Sequence, residues 1–178
     1  MMYTTRYSSP VGQMMLASDG DHLIGLWLDG QKYHGDTLFA ERTERDDLPV
    51  LGEAKEWLNR YFTGEKPQPS ELPLRPIGSD FRQAVWQILC AIPYGEVVTY
   101  GSIAKQLTGK LGRSMSGQAV GGAVAHNPIS VIIPCHRVVG SDGSLTGYAG
   151  GITTKIRLLE WEGVDMSRLF IPKKGTAL

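Results

Sequence analysis

Four prolines crowd into a short stretch near the middle of the chain. The segment 65–79, EKPQPSELPLRPIGS, carries them at positions 67, 69, 73 and 76. Proline fixes φ and has no backbone N–H, so a regular helix or a central strand does not pass through such a segment. We therefore predict a linker over the surface here, which separates a domain of residues 1–79 from a second domain of residues 80–178.

The residues before the linker are typical of antiparallel strands followed by one helix. Residues 1–29 contain three strand-like runs, separated by the turn signals Pro10-Val11-Gly12 and Asp19-Gly20-Asp21. From residue 48 onward, apolar residues recur at helical spacing until Gly64. We expect a small antiparallel sheet and a helix.

The residues after the linker have a mainly helical pattern. Ser79 and Asp80 are candidate N-caps of a helix over FRQAVWQILCAI. A short helix in TYGSIAKQL is then joined by TGKLGRSMS to a second helix, GQAVGGAVAH. Two short helices with a turn between them make a helix-turn-helix candidate. The expected fold class is α+β, with an N-terminal sheet domain followed by a mainly helical, winged-helix-like domain.

The second helix of this pair has an unusual composition. Gly117, Gly121 and Gly122 each weaken a helix by about 1 kcal/mol relative to alanine. Small residues along a face allow another surface to approach closely. On the pattern alone, that surface is either a neighbouring helix or a DNA backbone.

The second half also contains a cysteine in an unusual context. The apolar run ISVIIP predicts a buried strand halted by proline, with Cys135 where the strand emerges. A thiol becomes a good nucleophile when a nearby imidazole or cation lowers its pKa. His136 and Arg137 follow directly, but adjacent side chains of an extended segment point to opposite faces. Cys135 is therefore compatible with a nucleophile, a redox thiol or chance.

Two later segments strengthen the case for a nucleophile. Residues 138–151, VVGSDGSLTGYAGG, contain five glycines, which suits a backbone that approaches a flat ligand. The next segment, ITTKIRLLEWEG, predicts an amphipathic helix with Trp161 on its apolar face, and it brings Glu160 and Glu162. A carboxylate that orients a histidine, which activates a cysteine, is the usual arrangement around an activated nucleophile.

Composition argues against several other classes. The only other cysteine, Cys90, is expected to be a buried small hydrophobe, and two thiols do not make a disulfide framework. The scattered histidines give a metal site little support, and the usual nucleotide-binding glycine motifs do not occur. Neither a membrane span nor a secretory signal is visible, so we expect a soluble cytoplasmic protein.

Charge is divided unevenly, although the net charge is zero. Residues 1–79 hold 8 Lys and Arg against 12 Asp and Glu, whereas residues 80–178 hold 10 against 6. An anionic partner would therefore prefer the second domain. A surplus of this size is by itself a weak argument for nucleic acid.

Together these motifs resemble one family. PCHRV, preceded by AVGGAVAHNPISVII and followed by GSLTGYAGG and LLEWEG, resembles the O6-alkylguanine-DNA alkyltransferases, or methylated-DNA–protein-cysteine methyltransferases. The resemblance is close from about Phe81 to Gly163, and the N-terminal YSSPVGQMMLASDGDHLIGLWLDG also looks like the family's leading domain. It implies a repair protein that flips O6-methylguanine out of DNA, and accepts O4-methylthymine as well. The alkyl group passes irreversibly to the protein's own cysteine, once per molecule and without a cofactor.

The resemblance also implies roles for particular residues. Cys135 would accept the alkyl group, His136 would draw the thiol proton through a water, and Glu162 would orient His136. Tyr100 would donate to the guanine ring nitrogen, and Asn127 would brace the turn before the active-site segment.

For DNA recognition, the resemblance implies that the helix over GQAVGGAVAH enters the minor groove of double-stranded DNA. The loop from Tyr148 to Gly151 would form the wall of the base pocket, and the Val138 carbonyl would read the exocyclic amine. The residues expected to contact DNA or the base are Gln118, Ala119, Gly121, Gly122, Arg137, Val138, Tyr148, Ala149 and Gly150. The chain is expected to be a monomer with no membrane partner.

Three features depart from the common pattern of the family. Gln118 stands where an arginine usually enters the base stack, and glutamine lacks the charge and stacking plane of guanidinium. Ala149 stands where a serine is often found, which removes one donor to the guanine oxygen. The connection TGKLGRSMS is also longer than the tightest version of the motif.

Three other interpretations compete with repair. A DNA-binding relative without transfer activity would lack the cysteine, which is present here. A cysteine hydrolase or thiol peroxidase could use the same three side chains, but no oxyanion-hole signature is identifiable. A regulator that signals through an alkylated cysteine usually carries an additional cysteine-rich metal-binding domain, which this chain lacks.

Overall fold

The computed structural model describes residues 1–38 and 41–173. By its contacts the chain divides into two compact units. The first comprises Met1–Ile77 and Pro128–Ile133, and the second comprises Gly78–Asn127 and the chain from Pro134 onward. The division into domains of residues 1–79 and 80–178 stays a prediction. No pattern in the sequence indicated that Pro128–Ile133 belongs to the first unit.

Four strands come first among the described elements, and helices predominate after them. They are β1 (Met2–Ser9), β2 (Gly12–Ser18), β3 (Leu23–Leu28), β4 (Arg42–Glu44), α1 (Pro49–Phe62), α2 (Asp80–Cys90), β5 (Val98–Thr99), α3 (Tyr100–Leu111), α4 (Gly117–Ala125), β6 (Val138–Val139) and α5 (Ile152–Trp161). Single turns of 3₁₀-helix occur at Pro69–Glu71, Cys135–Arg137 and Met166–Arg168.

The first unit is built on a four-stranded sheet in the order β3-β2-β1-β4. The predicted antiparallel meander is confirmed, because β1 pairs with β2 and β2 pairs with β3 in antiparallel register. The parallel pairing of β4 with β1 was not predicted. The predicted helix is confirmed as α1, which packs against β1 and β2 and buries Leu51, Leu58 and Tyr61.

The proline-rich segment is more than a linker, since it packs within the first unit. Trp57 Nε1 donates to the Gln68 carbonyl over 2.8 Å, and Leu72 is buried. Leu23 exchanges backbone hydrogen bonds with Pro73 and Arg75, at 2.8 and 2.9 Å. Proline remains compatible with this pairing because only its carbonyl is used.

In its described residues, the second unit contains four α-helices and a two-stranded parallel sheet of β5 and β6. The side chain of Ser79 accepts from the Arg82 N–H and caps α2, as predicted. Trp86 Nε1 of α2 donates to the Ala123 carbonyl of α4 over 2.9 Å, which ties two helices together.

Helix α3 is longer than the sequence pattern predicted, since it runs to Leu111 and ends at Gly112 in a left-handed conformation. The connection to α4 is therefore the five residues 112–116. It is shorter than the nine residues of TGKLGRSMS, but still longer than the turn of about three to four residues in the tightest motif. Ser116 caps α4 by accepting from the Ala119 N–H over 3.0 Å. The predicted pair of helices with a turn between them is present.

The buried strand predicted for residues 129–133 is wrong. Only Ile129 makes a strand-like bridge, to Leu26 within the first unit. The chain then turns, because the Ile132 N–H donates to the Ser130 carbonyl over 2.8 Å and Val131 has a φ of 70°. A positive φ is a strained conformation for a β-branched residue. The apolar residues are buried as expected, but in a turn.

The predicted fold class is confirmed: the chain is α+β, with a sheet and one helix in the first unit and a mainly helical second unit. None of the helices in the described part of the chain has the length and apolar content that a membrane crossing requires.

Candidate active site and nucleic-acid interface

Cys135, His136 and Arg137 lie on one turn of 3₁₀-helix that follows the buried turn. All three are buried. The expectation that they lie on an extended segment is therefore wrong, and their side chains diverge around a helical turn. This local geometry allows His136 and Arg137 to reach the same partner.

The thiol of Cys135 is 3% exposed and enclosed by polar groups. Burial raises the pKa of the thiol, and four interactions act against this effect. They are a hydrogen bond from the Asn127 side chain, the charge of Lys155, and the backbone N–H groups of Cys135 and His136. Hydrogen bonds and a cation favour the thiolate form. The site therefore excludes solvent from the thiol and also supplies groups that stabilise the thiolate.

His136 is fully buried and bonded to a carboxylate on one side only. Its Nε2 atom lies 2.5 Å from Oε2 of Glu162. Since a carboxylate accepts, Nε2 carries the proton and Nδ1 holds the lone pair. Nδ1 is buried and has no hydrogen-bonding partner among the described residues. Burial lowers the pKa of His136, which keeps the imidazole neutral and able to accept a proton.

Glu162 follows the last residue of α5 and accepts four hydrogen bonds. Oε1 accepts from Arg137 Nε at 2.8 Å and from the Gly95 N–H at 3.0 Å. Oε2 accepts from His136 Nε2 and from Arg137 Nη2, the latter at 3.2 Å. Although burial acts to raise its pKa, the hydrogen bonds from His136 and Arg137 and the charge of Arg137 hold it well below the usual range. Glu160, the other carboxylate that the sequence offered, is exposed.

Lys155 is the functional candidate that the sequence analysis missed. It has no solvent exposure, and its Nζ atom donates to the carbonyls of Val138 and Thr146. Burial lowers its pKa to about 8, while the proximity of Cys135 acts to raise it. A signal was present, because Lys155 stands three and four positions before Leu158 and Leu159 and therefore on the buried face of the helix.

The glycine-rich loop carries Tyr148 and contacts Tyr100, the first residue of α3. Tyr100 Oη donates to the Thr146 carbonyl over 2.7 Å, and burial raises its pKa so that the phenol keeps its proton. Gly147 has a φ of 77°, and a Cβ there would lie 2.4 Å from Tyr100 Oη. The ring of Tyr148 meets that of His136 edge-on at 6.4 Å between centroids, and its buried Oη has no hydrogen-bonding partner among the described residues.

Helix α4 presents an outward face of small residues. Gly117, Gln118, Ala119 and Gly122 are exposed, and a Cβ added to Gly117, Gly121 or Gly122 would meet nothing within 4 Å. The packing of the second unit therefore does not require these glycines. Of the two alternatives left open by the sequence, tight packing on a neighbouring helix loses its support.

Cys90 is unlike Cys135 in its surroundings. It is half-buried at the end of α2, and burial raises its pKa to about 11 without a compensating interaction. Such a thiol is a poor nucleophile at neutral pH. Across residues 1–38 and 41–173, no group of three or more His, Cys, Asp or Glu side chains is placed to hold a metal ion.

Comparison with known proteins decides which family has this arrangement. The model of the 6-O-methylguanine DNA methyltransferase DNA-binding domain matches residues 80–164, and that of the family's ribonuclease-like domain matches residues 2–76. The chain belongs to the 6-O-methylguanine DNA methyltransferase family. The resemblance stated from the PCHRV segment is confirmed.

Relatives in this family match over most of the chain. The methylated-DNA–protein-cysteine methyltransferase of Haemophilus influenzae is 40% identical over 163 residues, which cover 92% of this chain and 87% of the relative. That of Mycobacterium bovis is 43% identical over 164 residues, covering 91% and 93%. The crystal structure of Mycobacterium tuberculosis OGT in complex with DNA superposes with a TM-score of 0.79 at 40% identity, covering 94% of each chain.

The structure gathers most of the alkyltransferase site residues inferred from sequence. Cys135, His136, Glu162 and Asn127 are joined by hydrogen bonds or adjacency, and Tyr100 reaches them through the loop that carries Tyr148. The remaining residues divide into the outward face of α4 and the half-buried loop positions Ala149 and Gly150.

Two inferred contact residues of this methyltransferase chain have other partners here. The Val138 carbonyl accepts from Lys155 Nζ, which leaves one lone pair for a base. Arg137 is buried, and its guanidinium is bonded to Glu162 and to the Ile92 carbonyl. It is therefore not presented to DNA, and its expected DNA contact has no support from its position.

Proposed function

We propose that this protein repairs alkylated DNA by transferring the alkyl group from O6 of guanine to Cys135. The observation that carries the proposal is a buried thiol that Asn127 and Lys155 stabilise as a thiolate, in the residue next to a histidine whose imidazole is hydrogen-bonded to a carboxylate through one nitrogen only. The relatives named above are methylated-DNA–protein-cysteine methyltransferases, and a similar chain binds DNA in its crystal structure. O4-methylthymine is included in the proposal as a second lesion.

The transfer is a direct displacement at the alkyl carbon. His136 Nδ1 takes the thiol proton through a bridging water, and the carbon–sulfur bond forms as the carbon–oxygen bond to the base breaks. The electron pair of the broken bond stays on guanine. Tyr100 donates a proton to the guanine ring nitrogen, so guanine leaves as a neutral base. The thiol proton then passes from the imidazolium to the Tyr100 phenolate, which restores both side chains, so that the thiol exchanges one proton for one alkyl group and no cofactor is consumed.

Tyr100 must release its hydrogen bond to Thr146 in order to reach the base. A raised pKa suits this role, because the phenol remains protonated until negative charge develops on the leaving guanine. Lys155 gives the thiolate a nearby positive charge during the displacement. We therefore add Lys155 to the residues proposed from the sequence.

DNA binding is assigned to the outward face of α4 in the minor groove. Its glycines have no packing reason within the second unit, and a small face lets the helix approach the sugar–phosphate backbone closely. A base must leave the stack before its O6 atom can reach a buried sulfur, which requires a few kcal/mol. Gln118, at the start of α4, is assigned to fill the space of the flipped base. The protein acts as a monomer in the cytoplasm.

Intact-protein mass spectrometry after incubation with a duplex that contains one O6-methylguanine tests the proposal. Wild type is expected to gain one methyl group on Cys135, and Cys135→Ala to gain none. Cys90→Ser is the matched control, because the other thiol has no activating interaction, and it should gain the methyl group like wild type.

Other outcomes would count against repair by self-alkylation. DNA binding without any mass gain would indicate a lesion-binding protein with an idle thiol. Turnover of an ester or a peroxide, without methyl transfer, would instead favour the cysteine hydrolase or thiol peroxidase interpretation.

A further inference from the structure

The side chain of Arg137 is buried, which is unusual for an arginine. Its side chain is 7% exposed, and Nη1 donates to the Ile92 carbonyl over 2.6 Å. Nε and Nη2 reach the two oxygens of Glu162, and the guanidinium lies 5.7 Å from the centre of the Tyr94 ring. The side chain thus joins the turn after α2 to the carboxylate that contacts His136.

We propose that Arg137 is a positioning residue that acts through Glu162, by holding the carboxylate in the one orientation that leaves Nδ1 of His136 as the proton acceptor. This inference rests on the proposed function, since it assigns a role within the same alkyl transfer. It replaces the DNA contact expected for Arg137 from the sequence.

The acceptor positions of Glu162 are filled in a way that fixes its orientation. Two oxygens offer about four acceptor positions, and four donors fill them: two from Arg137, one from His136 and one from Gly95. The planar guanidinium binds both oxygens in parallel, which prevents rotation of the carboxylate. A lysine at this position is a point charge and cannot impose that geometry.

Charged groups on several sides of His136 set its affinity for a proton. Glu162 attracts a proton to the imidazole, whereas Arg137 and Lys155 repel it. The ring of Tyr148 lies edge-on to the imidazole, and Cys135 precedes His136 on the same turn. Tyr94 faces the Arg137–Glu162 pair from the other side. Arg137 therefore compensates the charge of the carboxylate, so that Glu162 holds the imidazole in place while Nδ1 stays unprotonated.

The first experiment separates positioning from DNA contact. Wild type, Arg137→Lys and Arg137→Gln are compared in binding to unmodified duplex over a range of salt concentrations and in single-turnover methyl transfer. Arg157→Gln, which removes an exposed positive charge from α5, is the matched control. We expect both Arg137 variants to bind duplex as the control does, and to transfer the methyl group about tenfold or more slowly.

A phosphate contact would give the opposite result. Loss of Arg137 would then weaken duplex binding and lower the slope of log K against log salt by about 0.9, with little change in the rate at saturating DNA. That outcome would overturn the proposal.

The second experiment measures the rate of transfer as a function of pH. If Arg137 only stabilised the fold, its replacement would not move this profile along the pH axis. In Arg137→Gln the uncompensated carboxylate should make His136 hold its proton to higher pH. The acid limb of the rate is then expected to move upward, and the rate below it to fall about tenfold for each pH unit that the limb moves. Arg137→Lys keeps the charge, so its limb should stay near that of wild type while its plateau falls. Equal slowing at every pH in both variants would contradict a role through His136.

The third experiment is a double-mutant cycle with Glu162→Gln. If Arg137 acts through Glu162, its replacement in the Glu162→Gln background should slow transfer little further; independent, multiplicative losses would overturn the proposal. The double variant also removes both partners of a buried ion pair, and so avoids the instability of a single unpaired charge. Absence of transfer by wild type would refute the proposed function, whereas these outcomes refute only the role of Arg137.

Discussion

Lys155 Nζ lies 2.8 Å from the carbonyl oxygen of Thr146, in a side chain with no exposure to solvent. A second hydrogen bond joins it to the Val138 carbonyl, and its charge acts on the thiol of Cys135. The same Thr146 carbonyl accepts from Tyr100. One buried cation thus fixes the loop that carries Tyr148 and favours the nucleophilic form of the sulfur.

Replacement of this cation should slow the chemical step. We expect Lys155→Met to transfer a methyl group about tenfold more slowly for each unit by which the pKa of Cys135 rises. Lys155→Arg, which keeps a charge, should lose less. Single-turnover rates near neutral pH check this, with Arg157→Met as the control for an exposed cation on the same helix. A rate for Lys155→Met within about twofold of wild type would contradict the role.

Lys155 should also make stability depend on pH. Its pKa is about 8 in the folded protein against 10.5 ordinarily, so between these values the unfolded chain binds more protons. The free energy of unfolding of wild type should therefore rise relative to that of Lys155→Met between these two pH values, by at most about 1.4 kcal/mol per pH unit. Urea unfolding of both proteins across this range measures the difference. A difference that stays flat or falls would mean that the ammonium is not destabilised by burial.

The glycines of α4 should lower the stability of the protein while they allow DNA to bind. Gly122→Ala is expected to stabilise the protein by up to about 1 kcal/mol, because the new Cβ meets nothing within 4 Å, and to weaken binding to duplex DNA. Gly52→Ala in α1 is the matched control, since Gly52 is exposed, helical and equally uncrowded. Both variants should melt at a higher temperature than wild type, but only Gly122→Ala should lose duplex affinity. Equal affinities for the two variants would place the DNA elsewhere.

Gln118 should contribute less to base extrusion than an arginine would. We expect Gln118→Ala to slow transfer from duplex DNA by less than about tenfold, since glutamine offers hydrogen bonds but neither charge nor a stacking plane. Transfer from the same lesion in a single strand, where no partner base is left unpaired, should not change. A loss of several hundredfold from duplex DNA would show that extrusion depends on this side chain.

Local patterns in the sequence predicted the elements that depend on local interactions. The meander, α1, α2, α4 and α5 follow from turn residues, caps and helical spacing. The strand expected at 129–133 failed because an apolar run records burial but not conformation, and here the backbone satisfies its hydrogen bonds by turning. Strand β4 has three exposed polar residues, so no alternation marked it.

The sequence predicted the nucleophile, but not the buried cations around it. The logic of an activated thiol selected Cys135 and His136 and offered two carboxylates, Glu160 and Glu162. The family resemblance selected Glu162, which lies within hydrogen-bonding distance of His136 in the fold. Lys155 was missed and the burial of Arg137 was not foreseen for one reason: a charged residue is usually solvated, and only tertiary structure reveals the buried partners that stabilise it. Trp161 is the converse case, an apolar residue of α5 that the fold leaves exposed.

The turn at 128–133 also constrains the order in which the protein folds during its synthesis on the ribosome. The first unit includes Pro128–Ile133, which follows the fifty residues from Gly78 to Asn127 that belong to the second unit. Its Leu26 backbone pairs with this late segment through the Pro128 carbonyl and the Ser130 N–H. The N-terminal sheet therefore cannot complete its pairing until much of the second unit has left the exit tunnel. The nucleophile emerges two residues after that closing segment, so a nascent chain too short to finish its first unit also lacks the sulfur with which to attack DNA.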